Sequence, residues 1–184
     1  MKFCSDCGNS VKLKTPPNDN RPRYCCGACG TIHYQNPRNV VGTIPTWQDK
    51  VLLCRRAIEP RLGFWTLPAG FMENEETTEE GAARETVEEA GASIIQGEAL
   101  KLFSIVDVPT VHQVHLFFLA PLSNNLLAPG SETIEAKFFS ENEIPWQEIA
   151  FKTVSLTLQW FFEAKRNNDF TMHQSAVRWK MPSE

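Results

Sequence analysis

The sequence predicts an α/β domain preceded by a small cysteine-rich module. Four of the six cysteines form two closely spaced pairs within the first thirty residues. Beyond them, short segments rich in β-branched and aromatic residues alternate with two segments of helical periodicity. With 184 residues and 42% apolar side chains, the chain is long enough to bury a core. The polar segment at Asn36-Pro37 predicts the boundary, which gives a module over 1–36 and a domain over 37–184.

The composition excludes several classes of protein. A net charge of −4 is unfavourable for an extended nucleic-acid-binding surface. The chain has no uncharged apolar run of about 18 residues and no apolar signal segment at its start, so neither a membrane span nor secretion is expected. We therefore expect a soluble, cytoplasmic protein without membrane or nucleic-acid partners, whose cysteines do not form a disulfide framework.

The cysteine pairs of the module have the spacing of metal ligands. Cys4 and Cys7, and Cys26 and Cys29, each form a C-x2-C-G hook. A tight turn presents two thiolates to one ion, and the glycine that follows permits the backbone conformation of the turn. Two such hooks predict a four-cysteine zinc site of the zinc-ribbon type. Because a closed site leaves no position for substrate, the predicted zinc is structural and not catalytic.

The other cysteines are predicted to lie outside the zinc site. Cys25 would leave three residues before Cys29, and Cys54 in an apolar run is expected to be a small buried hydrophobe. A ribbon could also bind a polyanion, since residues 1–38 carry six basic and two acidic side chains. Four thiolates and one zinc ion would reduce that charge to about +2, which supports this alternative only weakly.

The predicted domain begins with a hairpin of strands at 39–46 and 50–55 around Gln48-Asp49. Further strands are predicted at 99–106, 111–120 and 133–139, and a last one within 170–179. A second helix is predicted over 151–165, with an apolar face made by Val154, Leu158, Phe161 and Phe162.

The first helix of the domain is predicted within an acidic segment. Residues 73–89 contain eight glutamates and one arginine. Thr77 and Glu80 have the spacing of a capping box that begins a helix, and Gly91 is suited to end it. The pattern predicts a buried stripe of Ala83, Val87 and Ala90 along this helix.

The same helix is predicted to bind a divalent cation. Glu85 is three and four residues from Glu88 and Glu89, so each pair of carboxylates can converge. Like charges at this spacing destabilise a helix by about 0.2–0.5 kcal/mol per pair, and a cation removes that cost. Ligands that are all oxygen favour Mg2+ or Mn2+, which also bind phosphate oxygens.

The spacing of these residues resembles the Nudix box, G-x5-E-x7-R-E-U-x-E-E-x-G-U. This pattern runs from Gly70 to Ala92, and its charged and glycine positions all agree, namely Gly70, Glu76, Arg84, Glu85, Glu88, Glu89 and Gly91. Thr86 and Ala92 occupy positions that are usually larger and apolar. The resemblance implies an α/β/α sandwich with a mixed sheet, and metal-dependent hydrolysis of a nucleoside diphosphate linked to another group.

The resemblance also implies roles for individual residues. Glu85 and Glu89 would be the main ligands of Mg2+ or Mn2+, with Glu88 as a further ligand or base and the Gly70 carbonyl as another ligand. Arg84 would orient the glutamates, and Glu76 would anchor the loop to the helix. A base outside the box is common in the family; Glu132 and Glu135 are the candidates, and family position favours Glu135.

The order of ribbon and Nudix domain is similar to the NADH pyrophosphatase group. That group carries S-Q-P-W-P-F-P-x-S after the box, where this chain has Lys101-Leu102-Phe103-Ser104-Ile105-Val106-Asp107-Val108-Pro109-Thr110. The whole pattern most resembles ribbon-bearing ADP-ribose or FAD pyrophosphatases, which implies AMP as one product and a homodimer as the assembly. Candidate platforms for an adenine ring are Tyr34, Trp65, Phe117 and Phe118.

Three functions remain open from the sequence. The favoured one is hydrolysis of ADP-ribose or FAD, and the alternative within the class is an NADH pyrophosphatase or a broad nucleotide-sugar hydrolase. From another class, a non-catalytic adaptor could sense a nucleotide or bind RNA. The complete set of box glutamates disfavours the adaptor, because loss of Glu85 or Glu89 would be its expected mark.

Overall fold

The computed structural model describes residues 1–97 and 99–178. It divides into two compact units, Met1–Pro37 and the chain from Arg38 onward. The prediction of a last strand within 170–179 includes Trp179, which lies outside the described residues. Neither helix of the described part of the chain has the length and apolarity needed to span a membrane.

The first unit is a three-stranded antiparallel sheet of β1 (Val11–Lys14), β2 (Arg23–Cys26) and β3 (Ile32–His33), in that order. The two cysteine hooks are closed by backbone hydrogen bonds from Gly8 N to Cys4 O and from Gly30 N to Cys26 O. Both glycines are left-handed, with φ of 73° and 80°, as the sequence predicts for these turns.

The second unit contains a mixed sheet. Its strands are β4 (Arg38–Trp47), β5 (Lys50–Arg56), β6 (Trp65–Thr66), β7 (Ala69–Phe71), β8 (Lys101–Val108), β9 (Gln113–Pro121), β10 (Thr133–Phe139) and β11 (His173–Ala176). The main order is β10-β5-β4-β9-β8-β11, with β6 paired to β5 and β7 to β4. β4 runs parallel to β9, and β8 to β11, while the other pairs are antiparallel.

The sheet is covered on both faces, by α1 (Thr78–Ala90) and by α2 (Lys152–Asn167). Alternate residues of β5 show this arrangement. Leu52 and Cys54 pack in one cluster with Ala90 of α1. Their neighbours Val51 and Leu53 pack in another cluster that contains the apolar face of α2. The α/β/α sandwich with a mixed sheet is therefore confirmed, and so is the apolar face predicted for the second helix.

The ends of α1 are where the sequence predicts them. The Thr77 hydroxyl accepts a hydrogen bond from Glu80 N, and the Glu80 carboxylate accepts one from Thr77 N. Gly91 ends the helix in the left-handed conformation, with φ of 61°. Its Cα approaches Ala128 so closely that an added Cβ would overlap the Ala128 backbone.

The predicted buried stripe of α1 is right at Ala90 and wrong at Val87, which is 56% exposed. The buried face is formed by Ala82, Thr86 and Ala90, together with Gly81 and Glu89. Thr86 can lie on the buried face because its hydroxyl donates to Ala82 O, at 2.8 Å, and lies 2.6 Å from the Thr43 hydroxyl of β4. A polar side chain with both partners satisfied loses little on burial, so the apolar pattern alone does not identify this face.

The predicted strand at 111–120 begins two residues later in the structure. Pro109–Val111 form a turn of 3₁₀ helix, which ends at His112 with φ of 55°. Proline favours the first positions of such a helix, and it separates β8 from β9. The other predicted strands agree with the observed ones to within two residues, and the predicted strand at 133–139 coincides with β10.

Candidate functional site

The candidate site is built where β7 meets α1. β7 pairs with β4, placing Gly70 opposite Val41. The Glu85 carboxylate lies against Gly70 so closely that a Cβ on this glycine would overlap it. A residue with a side chain at position 70 would therefore displace Glu85, which explains why this position requires glycine.

Glu89 is the buried acid of the site. Its side chain is 8% exposed, and its Oε2 accepts a hydrogen bond from Ala69 N at 3.2 Å. Burial raises the pKa of Glu89 to about 8; the Ala69 N–H opposes this shift, whereas the charge of Glu85 adds to it. Burial also raises the pKa of Glu85, although its ion pair with Arg84 acts in the opposite direction. Ionising both carboxyl groups together is unfavourable, and a bound cation would remove this cost.

A pH-dependent effect on stability is expected from Glu89. In the folded, metal-free protein its pKa is about 8, whereas a glutamate in an unfolded chain ordinarily titrates near 4.5. Between these two pH values the folded protein keeps the proton on Glu89, whereas the unfolded chain has lost it. The free energy of unfolding therefore falls as the pH rises through this window. In zinc-loaded protein without added Mg2+ or Mn2+, Glu89→Gln should raise the Tm at pH 8 and raise it less at pH 5. Equal shifts at both pH values would contradict the raised pKa.

Arg84 connects the acids of the site. It donates from Nε and Nη2 to both oxygens of Glu76, at 3.0 and 2.9 Å. From Nη1 it donates to Glu85 at 2.7 Å and to Glu88 at 3.0 Å. The bidentate pair with Arg84 lowers the pKa of Glu76 to about 2, with help from the backbone N–H of Glu73. The structure thus brings together Glu76, Arg84, Glu85 and Glu88 as one ion-paired group.

The loop after β9 is attached to the C-terminal end of α1. Ala128 N donates to Ala90 O at 2.8 Å, and Gly130 N donates to Glu89 O at 3.3 Å. A Cβ on Gly130 would overlap the carbonyl oxygen of Glu88, so this close approach also requires glycine. The loop leads directly into Glu132.

Glu132 and Glu135 differ in their relation to the site. The charge of Glu132 acts on both Glu85 and Glu89, and raises the pKa of each. Successive side chains of β10 point to opposite faces of the sheet. Ala136 packs in the cluster that contains α1 residues, and Phe139 packs in the cluster that contains α2 residues. Glu135 therefore lies on the same face as Phe139, which α2 covers. The structure brings Glu132 to the box glutamates and leaves Glu135 on the other face.

Two further residues near the box were not found from the sequence. Arg56, at the end of β5, lies 5.1 Å above the Phe151 ring, and its charge opposes the raised pKa of Glu89. Phe71 follows Gly70, is 46% exposed and lies 4.3 Å below the Arg38 guanidinium. Because it follows Gly70 in β7, its side chain lies on the strand face opposite to the one against Glu85.

Of the four aromatic residues predicted as platforms for an adenine ring, three are buried and one is exposed. Trp65, Phe117 and Phe118 are buried in the core, at 7%, 0% and 5% exposure. Tyr34 is exposed, but it belongs to the first unit, where the Arg23 guanidinium lies 5.0 Å from its ring. Buried rings cannot receive a nucleobase, whereas the Phe71 ring of the second unit is 46% exposed.

The cysteine hooks of the first unit converge. The sulfur atoms of Cys4, Cys7, Cys26 and Cys29 all lie within 4.8 Å of one another, and no other group of metal-ligating side chains within residues 1–97 and 99–178 is as tightly gathered. Cys4 and Cys29 are 3.7 Å apart, and Cys7 and Cys26 are 3.5 Å apart. Tetrahedral zinc with bonds of about 2.3 Å requires sulfur–sulfur distances of about 3.8 Å, so these residues fit zinc.

The remaining cysteines lie outside this cluster, as predicted. The Cys25 thiol donates to the backbone carbonyls of Lys14 and Arg23, at 3.7 and 3.6 Å. Cys54 is 1% exposed, in the cluster that packs against α1. The second hook of the cluster is therefore formed by Cys26 and Cys29.

Each of the two units matches a known protein family. Residues 2–35 match the Nudix N-terminal zinc-ribbon family, and residues 36–160 match the NUDIX domain family. A solved NUDIX hydrolase from Nitrosomonas europaea is 47% identical, with a TM-score of 0.91, over 96% of this chain and 99% of that one.

Curated relatives include two kinds of enzyme. An ADP-ribose pyrophosphatase of Methanocaldococcus jannaschii is 32% identical over 69% of this chain and 76% of its own length. An NAD-capped RNA hydrolase of Vibrio vulnificus is 31% identical over 79% of this chain. The chain spans about half the length of the NAD-capped RNA hydrolases it matches, 53% in this case. On the family matches, the box geometry and the cysteine cluster together, the chain belongs to the Nudix family, in the group that carries an N-terminal zinc ribbon.

Proposed function

We propose that this chain is a divalent-metal-dependent pyrophosphatase that hydrolyses ADP-ribose or FAD, giving AMP plus ribose 5-phosphate or FMN. The observation that carries the proposal is the placement of Glu85 and Glu89 beside Gly70, with Arg84 and Glu76 holding the assembly. The similarity to an ADP-ribose pyrophosphatase over three quarters of that enzyme's length supports the substrate class.

Glu85 and Glu89 are proposed to hold Mg2+ or Mn2+, with Glu88 and the Gly70 carbonyl as further ligands. When bound, such an ion polarises the bridging pyrophosphate and lowers the pKa of a water molecule. Arg84 fixes the orientation of the Glu85 and Glu88 carboxylates through its hydrogen bonds. Arg56 adds positive charge near Glu89, beside which the phosphates of the substrate would bind.

Glu132 is proposed as the general base, in place of Glu135. Its charge reaches Glu85 and Glu89, and its loop is bonded to the end of the helix that carries them. A carboxylate in this position accepts the proton that the attacking water loses. The exposed ring of Phe71 is proposed to stack on the adenine.

The choice of base predicts a difference between two matched variants. Glu132→Gln should lower kcat by about 10²–10⁴-fold, the range that general-base catalysis contributes, with little change in KM. Glu135→Gln, on the other sheet face, should keep kcat within about twofold of the unmodified protein, because surface substitutions away from the site have small effects. Steady-state kinetics on ADP-ribose would measure both. A larger loss in Glu135→Gln would return the role to Glu135.

The domain assignment proposed for the chain is a zinc ribbon over 1–36 and a Nudix domain over 37–184. Its support is the break between compact units after Pro37 and the two family matches. Structural zinc is proposed for the four cysteines, on the sulfur distances given above. A homodimer is proposed from the family resemblance.

A second function, hydrolysis of NADH or of NAD-capped RNA, is supported by the relatives of the Vibrio vulnificus type. We place this function second because the sequence lacks, after the box, the S-Q-P-W-P-F-P-x-S signature of the NADH pyrophosphatase group.

A panel of substrates separates these functions. ADP-ribose, FAD, NADH, a nucleotide sugar and an NAD-capped RNA would be compared at equal concentration with Mg2+ or Mn2+, and products identified by chromatography. We expect the highest kcat/KM on ADP-ribose or FAD, and no product with chelator. A preference for NADH or capped RNA would favour the second function. No turnover of any substrate by the metal-loaded protein would favour the non-catalytic adaptor.

A further inference from the structure

A histidine lies beside the cysteine cluster of the first unit. His33 Nε2 is 3.2 Å from Cys4 Sγ, closer than the 3.5 Å between Asn9 Nδ2 and Cys7 Sγ. His33 is half-buried in β3, and its backbone pairs with Tyr24 of β2. The ladder continues to a hydrogen bond from Cys26 N to Thr31 O at 2.9 Å. The sheet therefore fixes the backbone that carries the imidazole.

The electrostatics of the cluster explain what the imidazole contributes there. Four thiolates around one divalent zinc ion carry a net charge of −2, which hydrogen-bond donors stabilise. Backbone N–H groups of Asp6 and Cys7 already donate to the Cys4 sulfur. A zinc-bound thiolate has no proton to donate, so the hydrogen in the contact with His33 has to come from Nε2.

The polar side chain beside Cys29 is that of Thr31, and it has a second hydrogen-bond partner. The Thr31 hydroxyl lies 3.1 Å from Cys29 Sγ, but it also lies 2.9 Å from Asp6 Oδ2. A hydroxyl has a single proton, and the carboxylate competes with the sulfur for it. The imidazole is thus the side-chain donor with the shortest nitrogen-to-sulfur contact in the cluster.

We propose that His33 is a fifth residue of the zinc site, which donates a hydrogen bond from Nε2 to the Cys4 thiolate and slows the loss of zinc. This inference rests on the zinc occupancy proposed above. His33 acts as a positioning residue, because it orients and stabilises a ligand without binding the ion itself.

The test measures the rate at which zinc leaves the full-length protein. Zinc-loaded protein is mixed with excess of a colorimetric chelator, and the release is followed by absorbance. Loss of a hydrogen-bonded partner of a metal ligand typically costs about 10–100-fold in affinity. We therefore expect His33→Ala to release zinc at least about tenfold faster than the unmodified protein. His33→Gln keeps an N–H donor and should lie between the two. His112→Ala, which removes an exposed histidine of the second unit, is the matched control and should not change the rate.

Two further measurements keep the outcomes distinct. Metal analysis of the unmodified protein comes first, because less than one zinc per chain would refute the zinc site itself. With one zinc per chain, equal release rates for His33→Ala and the unmodified protein would refute the role of His33. After cobalt substitution, the visible spectrum should be that of four sulfur ligands in both proteins; a spectrum that loses a nitrogen ligand in His33→Ala would show direct coordination and overturn the proposed hydrogen bond.

Discussion

Glu85→Gln is expected to lower kcat by about a thousandfold, because a catalytic metal supplies several kcal/mol of transition-state stabilisation and each 1.36 kcal/mol is tenfold in rate. The amide cannot carry the negative charge that a divalent ion requires of this ligand. Gln has nearly the same shape, so the close fit of this side chain against Gly70 is preserved. The fold and the zinc content should therefore stay unchanged.

The matched control for this variant is Glu163→Gln, the same change at an exposed position of α2. The measurements are kcat on ADP-ribose across a Mg2+ titration, Tm, and zinc per chain. The control should match the unmodified protein in all three. If Glu85→Gln kept most of its activity at saturating Mg2+, Glu85 would not be a principal metal ligand.

Cys26→Ser is expected to release zinc and to unfold the first unit. Cys26 ends β2 and begins the second hook, so the same residue belongs to the sheet and to the metal cluster. Metal binding of this kind is linked to folding, with apparent binding energies of about 10–16 kcal/mol in zinc-finger peptides. A unit of 37 residues has too small a core to compensate for such a loss.

Cys25→Ser provides a control at the adjacent residue, because the Cys25 thiol lies outside the cluster and contacts the backbone carbonyls of Lys14 and Arg23. Zinc per chain, and the Tm with and without chelator, would be measured for both variants. Cys25→Ser should retain one zinc ion, whereas Cys26→Ser should retain none and melt at a lower temperature. A Cys26→Ser variant with an unchanged Tm would mean that the metal does not support the fold.

Local chemistry made much of this structure predictable. The capping box at Thr77 and the left-handed Gly91 define α1 through hydrogen bonds within a few residues of the sequence. The cysteine hooks are equally local, since each turn is closed by its own glycine. In both cases the conformation is determined by residues that are close together in the sequence, so the sequence alone is enough to predict it.

Contacts between distant segments were not predictable in the same way. The buried face of α1 depends on the Thr43 hydroxyl of β4, which no periodicity in α1 can indicate. The relation of Glu132 and Glu135 to the box depends on a register shift between Thr133 and Glu135 and on which sheet face α1 covers. Sequence could propose both acids, but it could not show which sheet face each one occupies.

The attachment of the loop at Ala128 and Gly130 to the end of α1 has a mechanical consequence. The loop before Glu132 is hydrogen-bonded to the helix that carries Glu85 and Glu89, so the proposed base and the proposed metal ligands are held to each other by backbone contacts. We expect these contacts to keep the spacing of the three carboxylates when the surrounding sheet moves. The exposed residues Asn125 and Leu126 precede this attachment, so substitutions there should leave both hydrogen bonds to the helix in place.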